Sequence, residues 1–284
     1  MPKYLDPKND LLFKKIFGEH KELLISFLNA FLPLGDKEVT HIEYLSPEQV
    51  PITPLGKNSI VDVRCTENTG RMFIVEMQME WSNIFRKRLL INGSKAVIKQ
   101  IGKESIDDKM KQFIELEPVY IITVINSNFS TGIDWYHHLQ IIDHKNTDVI
   151  IEGLDYILLE LPKFKKETWS LAEKKMAVLW LRFFKEIAGY FENIPEELKS
   201  NKLISAAIEM CQLSALSPEE MDIYDRYEDQ ARWQASIKGS EDSVIQNKKT
   251  IEEKDKTIEE KDKENEILKK ELEKLKKQIK NQTK

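Results

Sequence analysis

The hydrophobic positions near the N-terminus follow helical spacing. Apolar residues recur every three or four positions, at Leu12, Phe13, Ile16 and Phe17. The spacing predicts an amphipathic helix over residues 6–18, with Asp6 or Asn9 as its cap. A second helix is predicted over residues 20–32 and ends before Pro33, because proline cannot continue a helix.

The next part of the chain alternates between apolar and polar positions, as strands do. Residues 59–65 (SIVDVRC) and 71–80 (RMFIVEMQME) flank a turn sequence, which predicts a hairpin centred on Thr69. The β-branched run at residues 118–126 (PVYIITVIN) predicts a central strand. Residues 40–58 contain several prolines and are expected to be irregular. Two further strand candidates lie at residues 135–142 and 156–161.

Helical spacing returns in the rest of the chain. Four helices are predicted, at residues 84–103, 169–192, 196–213 and 218–238. These elements together predict an α/β fold with a mixed central sheet flanked by helices. The predicted domains are residues 1–165, a helical region at 166–238 and a coiled-coil tail at 239–284.

The tail carries a seven-residue repeat. The sequence TIEEKDK at residues 250–256 recurs unchanged at 257–263, and such a repeat is typical of a coiled coil. With Val244 at heptad position a, Asn265 also falls at position a, which favours a parallel homodimer through roughly residues 258–282. The alternative is a single solvated helix laced with charges.

Composition and charge narrow the function. The formal net charge of −5 means that any contact with DNA has to come from a local basic patch. Two cysteines, Cys65 and Cys211, exclude a disulfide framework and a four-cysteine zinc site, and Cys65 is expected to be buried and inert. The sequence has neither an apolar leader nor a run of about 18 apolar residues, so a cytoplasmic protein without membrane contact is expected.

The predicted hairpin has one apolar face. Its opposed pairs are Val61 with Met77, Val63 with Val75, and Cys65 with Phe73. A slip of one residue would mix the two faces, so the pattern itself supports this register.

The other face of the hairpin brings two carboxylates together. Asp62 opposes Glu76, and Gln78 projects to the same side. Carboxylates this close repel unless one is protonated or a cation lies between them, and Mg²⁺ and Mn²⁺ prefer oxygen ligands. The alternative is an ordinary hairpin with polar residues facing solvent. Against it, Asp62 lies inside the β-branched run IVDV, where a charge is poorly tolerated.

Three segments resemble one nuclease family. Asp62 followed by Glu76-Met77-Gln78 resembles the catalytic signature of PD-(D/E)XK nucleases, in the branch of recombination-promoting nucleases and putative transposases, which typically carries Glu-x-Gln. Residues 10–18 (DLLFKKIFG) resemble the N-terminal D-x-x-F-K-x-x-F-G element of this branch, and residues 161–164 (LPKF) its closing P-K-F element. The resemblance covers roughly residues 6–165 and implies a PD-(D/E)XK restriction-endonuclease-like core.

The resemblance also implies a chemistry for these residues. Asp62 and Glu76 would hold Mg²⁺ or Mn²⁺, helped by the Met77 carbonyl, and the metal would activate a bound water. Asp10 would be a further acidic contact, or alternatively would complement the dipole of the first helix. Gln78 departs from the Lys of the wider superfamily, since it can hydrogen-bond the attacking water but carries no charge.

A basic segment at residues 86–103 would supply positive charge, since it contains six basic residues and no acidic one. The candidates for nucleic-acid binding are Arg86, Arg88, Lys95, Lys99 and Lys103. We expect Arg88 or Lys95 to reach the site, and Lys99 and Lys103 to contact phosphates. The alternative is an ordinary solvated helix face. An apolar stripe is expected at Leu90, Val97 and Ile101, and Asn92 stands where family members often carry Tyr.

The function that the resemblance implies is that of a metal-dependent DNA endonuclease linked to recombination or transposase-like activity. The alternative is a catalytically degenerate nuclease fold that binds DNA or a protein without cutting. The sequence leaves cleavage of RNA open as a third possibility.

Overall fold

The computed structural model describes residues 4–35, 37–49, 59–101, 116–165, 175–188, 194–230, 232, 233, 254 and 261. The chain divides into two units, residues 1–228 and 229–284. In the second unit, Lys254 and Lys261 are both helical. The predicted coiled coil and its dimer interface lie otherwise outside the described residues, and the predicted domain boundaries stay predictions.

A mixed six-stranded sheet forms the centre of the first unit. The strands are β1 (Glu43–Tyr44), β4 (Val63–Thr66), β5 (Met72–Gln78), β6 (Val119–Ile125), β7 (Tyr136–Ile142) and β8 (Ile150–Glu160), in the order β1-β4-β5-β6-β8-β7. A separate antiparallel pair is formed by β2 (Glu48–Gln49) and β3 (Ser59–Ile60). β5, β6 and β8 are parallel to one another, and the other neighbouring pairs are antiparallel. The predicted central strand is therefore confirmed as β6.

Seven α-helices are described. They are α1 (Asp10–Glu19), α2 (Lys21–Phe31), α3 (Asn83–Ile98), α4 (Lys175–Glu186), α5 (Glu196–Lys199), α6 (Lys202–Met210) and α7 (residues 218–230). Asn9 caps α1, because its side chain accepts a hydrogen bond from the backbone N–H of Leu11. The predicted helix at 196–213 is broken between α5 and α6, where Asn201 caps α6 by accepting from the N–H groups of Leu203 and Ile204. No described helix is long and apolar enough to cross a lipid bilayer.

The sheet is covered on both faces. α1, α2, α4 and α6 pack on one face, and the aromatic residues Phe13, Phe17, Phe27, Trp180 and Phe184 are buried there. α3 packs on the other face against Ile74, Ile121 and Leu158. Both cores exclude water from the middle of the sheet, so polar side chains that enter them need partners.

The predicted hairpin register is confirmed, because Val63 pairs with Val75 and Cys65 with Phe73. The continuous strand predicted over residues 59–65 is wrong, since the chain leaves the strand conformation at Val61 and Asp62, between β3 and β4. The break turns Val61 into the core beneath α3, so its predicted place on the same face as Val63 is also wrong. Asp62 thus lies at an interruption of the sheet rather than inside a strand.

Two other boundaries differ from the predicted ones. The strand predicted at 156–161 begins at Ile150, because the apolar residues before it extend the pairing of β8 with β7. Residues 40–58 contain the short strands β1 and β2 instead of being wholly irregular, and residues 50–58 lie outside the described residues.

Candidate active site

The site lies where β5 runs past the break at Asp62. The Asp62 Oδ2 atom accepts a 2.7 Å hydrogen bond from the backbone N–H of Met77. This bond ties the carboxylate to β5 directly beside Glu76. The ladder between β4 and β5 begins at Val63, so the predicted cross-strand opposition of Asp62 and Glu76 is replaced by this contact with the next residue.

Asp62 is an electrostatically strained carboxylate. Its side chain is 17% exposed. Burial, together with the negative charges of Asp10 and Glu76, raises the pKa of Asp62 to about 7, although the Met77 N–H and Lys14 act in the opposite direction. A cation among these carboxylates would relieve the repulsion.

Glu76 is buried on the face of β5 that α3 covers. The side chain of Asn92 in α3 donates a 2.9 Å hydrogen bond to Glu76 Oε1. Burial raises the pKa of Glu76, while the positive charge of Arg88 and the Asn92 hydrogen bond lower it. Arg88, which is exposed on α3, thus acts on the site through its charge.

α1 brings a third carboxylate and a cation to the site. Asp10, in the first turn of α1, accepts a 2.7 Å hydrogen bond from Lys14 Nζ. The same ammonium group lies 3.8 Å from Asp62 Oδ1. Tyr227 in α7 is hydrogen-bonded to Asp10, which raises the pKa of the Tyr227 hydroxyl. Asp10 and Glu76 each act on Asp62 through their negative charges, so Asp10 lies beside the candidate site.

Gln78 lies two residues beyond Glu76, at the end of β5. Its Nε2 donates a 2.9 Å hydrogen bond to the carbonyl of Glu80. The amide is therefore held by the segment that follows β5.

The basic residues of α3 are spread around the helix. Arg86 bonds Asn83 on the exposed side, and Lys95 Nζ lies 3.0 Å from Ser59 Oγ in β3. Lys99 is the exposed residue that follows α3, and Lys103 lies outside the described residues. The predicted apolar stripe is wrong, because Leu90 is 60% exposed and the buried face is formed by Phe85, Leu89, Asn92, Gly93 and Ala96.

A second polar cluster lies at the carboxyl ends of the parallel strands, where β5 also ends. The register aligns Gln78 with Ile125, and Ile125 with Glu160. Glu160 is buried and lies 3.0 Å from Lys163 Nζ and 3.1 Å from His137 Nε2. Burial would raise the pKa of Glu160, but its hydrogen bonds, above all that with Lys163, lower it. The lysine of the LPKF element therefore binds Glu160 at the carboxyl end of β8.

The carboxylates fit a hard divalent cation that keeps much of its water shell. No three His, Cys, Asp or Glu side chains within the described ranges are grouped so as to enclose a metal ion. Mg²⁺, however, commonly takes only one or two protein carboxylates. The Met77 N–H binds one oxygen of Asp62, and the Asn92 amide binds one oxygen of Glu76. The second oxygen of each carboxylate accepts no hydrogen bond from a described residue.

Comparison with protein families decides the assignment. A model of the PD-(D/E)XK nuclease family transposases matches residues 7–241 of the chain. The chain belongs to this family. The mixed sheet flanked by helices is consistent with a PD-(D/E)XK core, and membership indicates a transposase or nuclease role. No curated protein and no solved structure matches the chain significantly.

Sequence reasoning missed three residues of the site in this PD-(D/E)XK family member. Asn92 interrupts the apolar face of α3, and a buried amide among Leu89, Gly93 and Ala96 is a signal that could have found it. Lys14 lies one helical turn after Asp10, a spacing that allows an ion pair. Tyr227 carries no such signal, because only the packing of the helical region brings it to Asp10.

Proposed function

We propose that this protein is a metal-dependent endonuclease that hydrolyses phosphodiester bonds in DNA. The observation that carries the proposal is the juxtaposition of Asp62 and Glu76, with the Asp62 carboxylate bonded to the backbone of the residue after Glu76. Membership of the PD-(D/E)XK nuclease family transposases, whose relatives typically use divalent metals, supports the same chemistry. A role in recombination or transposition belongs to this proposal.

The two carboxylates would hold Mg²⁺ or Mn²⁺, which supplies Lewis acidity and a lowered pKa of a bound water. The Met77 N–H binds the Asp62 carboxylate to β5, and the Asn92 amide would help to orient the Glu76 carboxylate. Asp10 adds negative charge beside Asp62. Gln78 would hydrogen-bond the attacking water through its amide oxygen, since its amide nitrogen is occupied by the Glu80 carbonyl.

DNA would approach along the exposed side of α3. Arg86 and Arg88 are exposed in its first half, and Lys99 is exposed at its end. Lys95, which is tied to Ser59, would hold β3 in place as much as contact a phosphate. Each phosphate that such a residue neutralises would make the slope of log affinity against log salt concentration more negative by about 0.9.

The test is nicking of supercoiled plasmid in Mg²⁺ or Mn²⁺. We compare the wild type with Asp62→Asn, Glu76→Gln and Gln78→Ala, and with Asp148→Asn as a control that removes an exposed acidic group. Both carboxylate variants are expected to lose cleavage while the control keeps it. Cleavage that persists in Glu76→Gln would contradict the proposal.

A second function is favoured by one observation. Gln78 carries no charge, and its amide nitrogen is engaged by Glu80. A nuclease fold that binds DNA or a protein without cutting would need no charged residue at position 78. Mn²⁺ distinguishes the two, because a ligand that binds the native state raises the melting temperature. A rise that disappears in Asp62→Asn would favour the nuclease, whereas no rise and no cleavage would favour the non-cutting protein.

We further propose that the tail forms a parallel homodimer through roughly residues 258–282, with Asn265 paired across the interface. Two sites in one assembly would cut two strands. Sedimentation equilibrium of the full chain is expected to give a dimer mass, and a monomer at about 100 μM, well above the dissociation constants of ordinary specific complexes, would contradict it.

A further inference from the structure

Gln78 does not supply the positive charge that a lysine at position 78 would bring to the site. A lysine of α1, Lys14, lies beside the carboxylates instead. Lys14 Nζ is 2.7 Å from Asp10 Oδ2 and 3.8 Å from Asp62 Oδ1. Its side chain is 37% exposed, so solvent reaches a lysine that contacts both carboxylates. It is therefore placed where an anionic substrate would meet the carboxylates.

The position of Lys14 is fixed by the packing of α1. Phe13 and Phe17 on the same helix are fully buried and pack against Phe184 and Trp180. Near the end of α1, a Cβ at Gly18 would lie 3.9 Å from Val63 Cγ2, in ordinary contact with β4. A helix held this closely to β4 delivers Lys14 to Asp62, which immediately precedes that strand.

Lys14 stays cationic in this environment. An ordinary lysine is protonated at neutral pH, and the two carboxylates beside Lys14 favour its charged form. A group that keeps its proton cannot serve as a general base at neutral pH. Its contribution to a reaction would be charge and hydrogen-bond donation.

We propose that Lys14 is a catalytic residue of this nuclease, which binds a non-bridging oxygen of the scissile phosphate and takes the electrostatic part that a lysine at position 78 would play. The proposal rests on the proposed nuclease function. Negative charge builds up on the phosphate oxygens during the attack of water, and a donor fixed at that point stabilises the transition state more than the ground state. Lys14 needs only to turn from Asp10 toward the phosphate.

The neighbouring lysine provides a matched control. Lys15 lies on the same helix and forms a 2.7 Å ion pair with Glu220, away from the carboxylates of the site. Lys15→Gln therefore removes the same charge from α1 and also breaks an ion pair. Any effect that Lys14→Gln has through loss of charge or helix stability alone should appear in Lys15→Gln as well.

The experiment measures plasmid cleavage at saturating Mn²⁺ and, separately, the rise in melting temperature that Mn²⁺ causes. In Lys14→Gln, cleavage is expected to fall about 100-fold or more, the loss typical of removing one donor that stabilises developing charge. The Mn²⁺-induced rise is expected to stay the same or to increase, because a competing cation has been removed. Lys15→Gln is expected to behave as the wild type in both measurements.

A compensating variant sharpens the test. In the double variant Lys14→Gln/Gln78→Lys, the lysine returns at the position used in the wider superfamily, and cleavage is expected to recover about tenfold or more, corresponding to about 1.4 kcal/mol of barrier. Lys14→Arg is expected to keep part of the activity.

Three outcomes would overturn the assignment of Lys14. One is cleavage by Lys14→Gln within about threefold of the wild type, less than the loss typical of a missing donor. Another is parallel loss of cleavage and of the Mn²⁺-induced rise, which would make Lys14 a structural residue. The third is the absence of recovery in the double variant. A wild type that cuts no DNA overturns the nuclease function itself, and this inference with it, which distinguishes the two failures.

Discussion

The side-chain amide of Asn92 donates a 2.9 Å hydrogen bond to Oε1 of Glu76 across the buried interface between α3 and the sheet. Both residues are almost fully buried. The Oδ1 atom of Asn92 has no hydrogen-bond partner among the described residues. The hydrogen bond to Glu76 is therefore the one described contact of the Asn92 amide, and we expect it to orient the Glu76 carboxylate.

Replacement of Asn92 by Leu should weaken metal binding. The Asn92 hydrogen bond lowers the pKa of Glu76. Its removal therefore raises that pKa, and the carboxylate becomes harder to ionise. Loss of such a supporting hydrogen bond typically costs about 10–100-fold in metal affinity or activity. The Mn²⁺ affinity is measured from the melting temperature at increasing Mn²⁺ concentrations. Asn83→Leu, at the exposed start of α3, is the control, and unchanged Mn²⁺ affinity in Asn92→Leu would exclude the positioning role.

The stability of the metal-free protein should fall as the pH rises toward neutrality. Burial and nearby charges raise the pKa of Asp62 from 3.8 to about 7, so the folded state favours the protonated carboxyl. Its contribution to stability is complete below about pH 4 and is lost as the pH rises through about 7. In urea denaturation with a chelator, Asp62→Asn should gain about 2 kcal/mol relative to the wild type between about pH 5 and pH 8. A difference that does not change with pH would contradict the shift.

A side chain at Gly93 should force its neighbours to shift. A Cβ there would lie 2.8 Å from Leu154 Cδ1, 2.9 Å from the Tyr156 hydroxyl and 3.0 Å from Ile121 Cδ1. Gly93→Ala should therefore displace the ends of these three side chains and destabilise the protein by about 1 kcal/mol, despite the better helix propensity of alanine. Urea denaturation measures this loss. Gly132→Ala, where nothing lies within 4 Å of the added methyl, should be nearly neutral.

Both cysteines should be unreactive in the native protein. Cys65 and Cys211 are fully buried, and burial raises the pKa of Cys65 to about 12 and that of Cys211 still further. A thiol reacts as its thiolate, so alkylation should be negligible until the protein unfolds. Timed alkylation followed by mass spectrometry, with and without denaturant, checks this. Rapid labelling of Cys65 in the folded protein would show that the hairpin opens.

Much of the fold follows from local sequence patterns. The spacing of Leu12, Phe13, Ile16 and Phe17 predicts α1, because one helical face must bury these side chains together. The pairing of Cys65 with Phe73 follows from alternation, since a shift of one residue would expose the apolar face. Asp10, Asp62 and Glu76 can likewise be named from the sequence as candidate site residues, which cleavage assays of their variants would test.

Other features depend on contacts between distant segments. Val61 leaves the face predicted for it because the chain breaks between β3 and β4, and alternation holds only within a continuous strand. The buried face of α3 centres on Asn92 and Gly93 rather than on Leu90, because close approach to β6 and β8 requires a small residue there. A pattern of apolar letters does not report this requirement.

The sequence by itself determined the order of most helices and strands and the hairpin register, because each depends on neighbours close along the chain, and it offered three acidic residues as candidates for the site. The tertiary structure alone decided which side chains surround those acids. Lys14, Asn92 and Tyr227 come from three different helices, and their distances to Asp62, Glu76 and Asp10 depend on how those helices pack on the sheet. Charge acts over a few ångströms in space, whatever the separation along the chain.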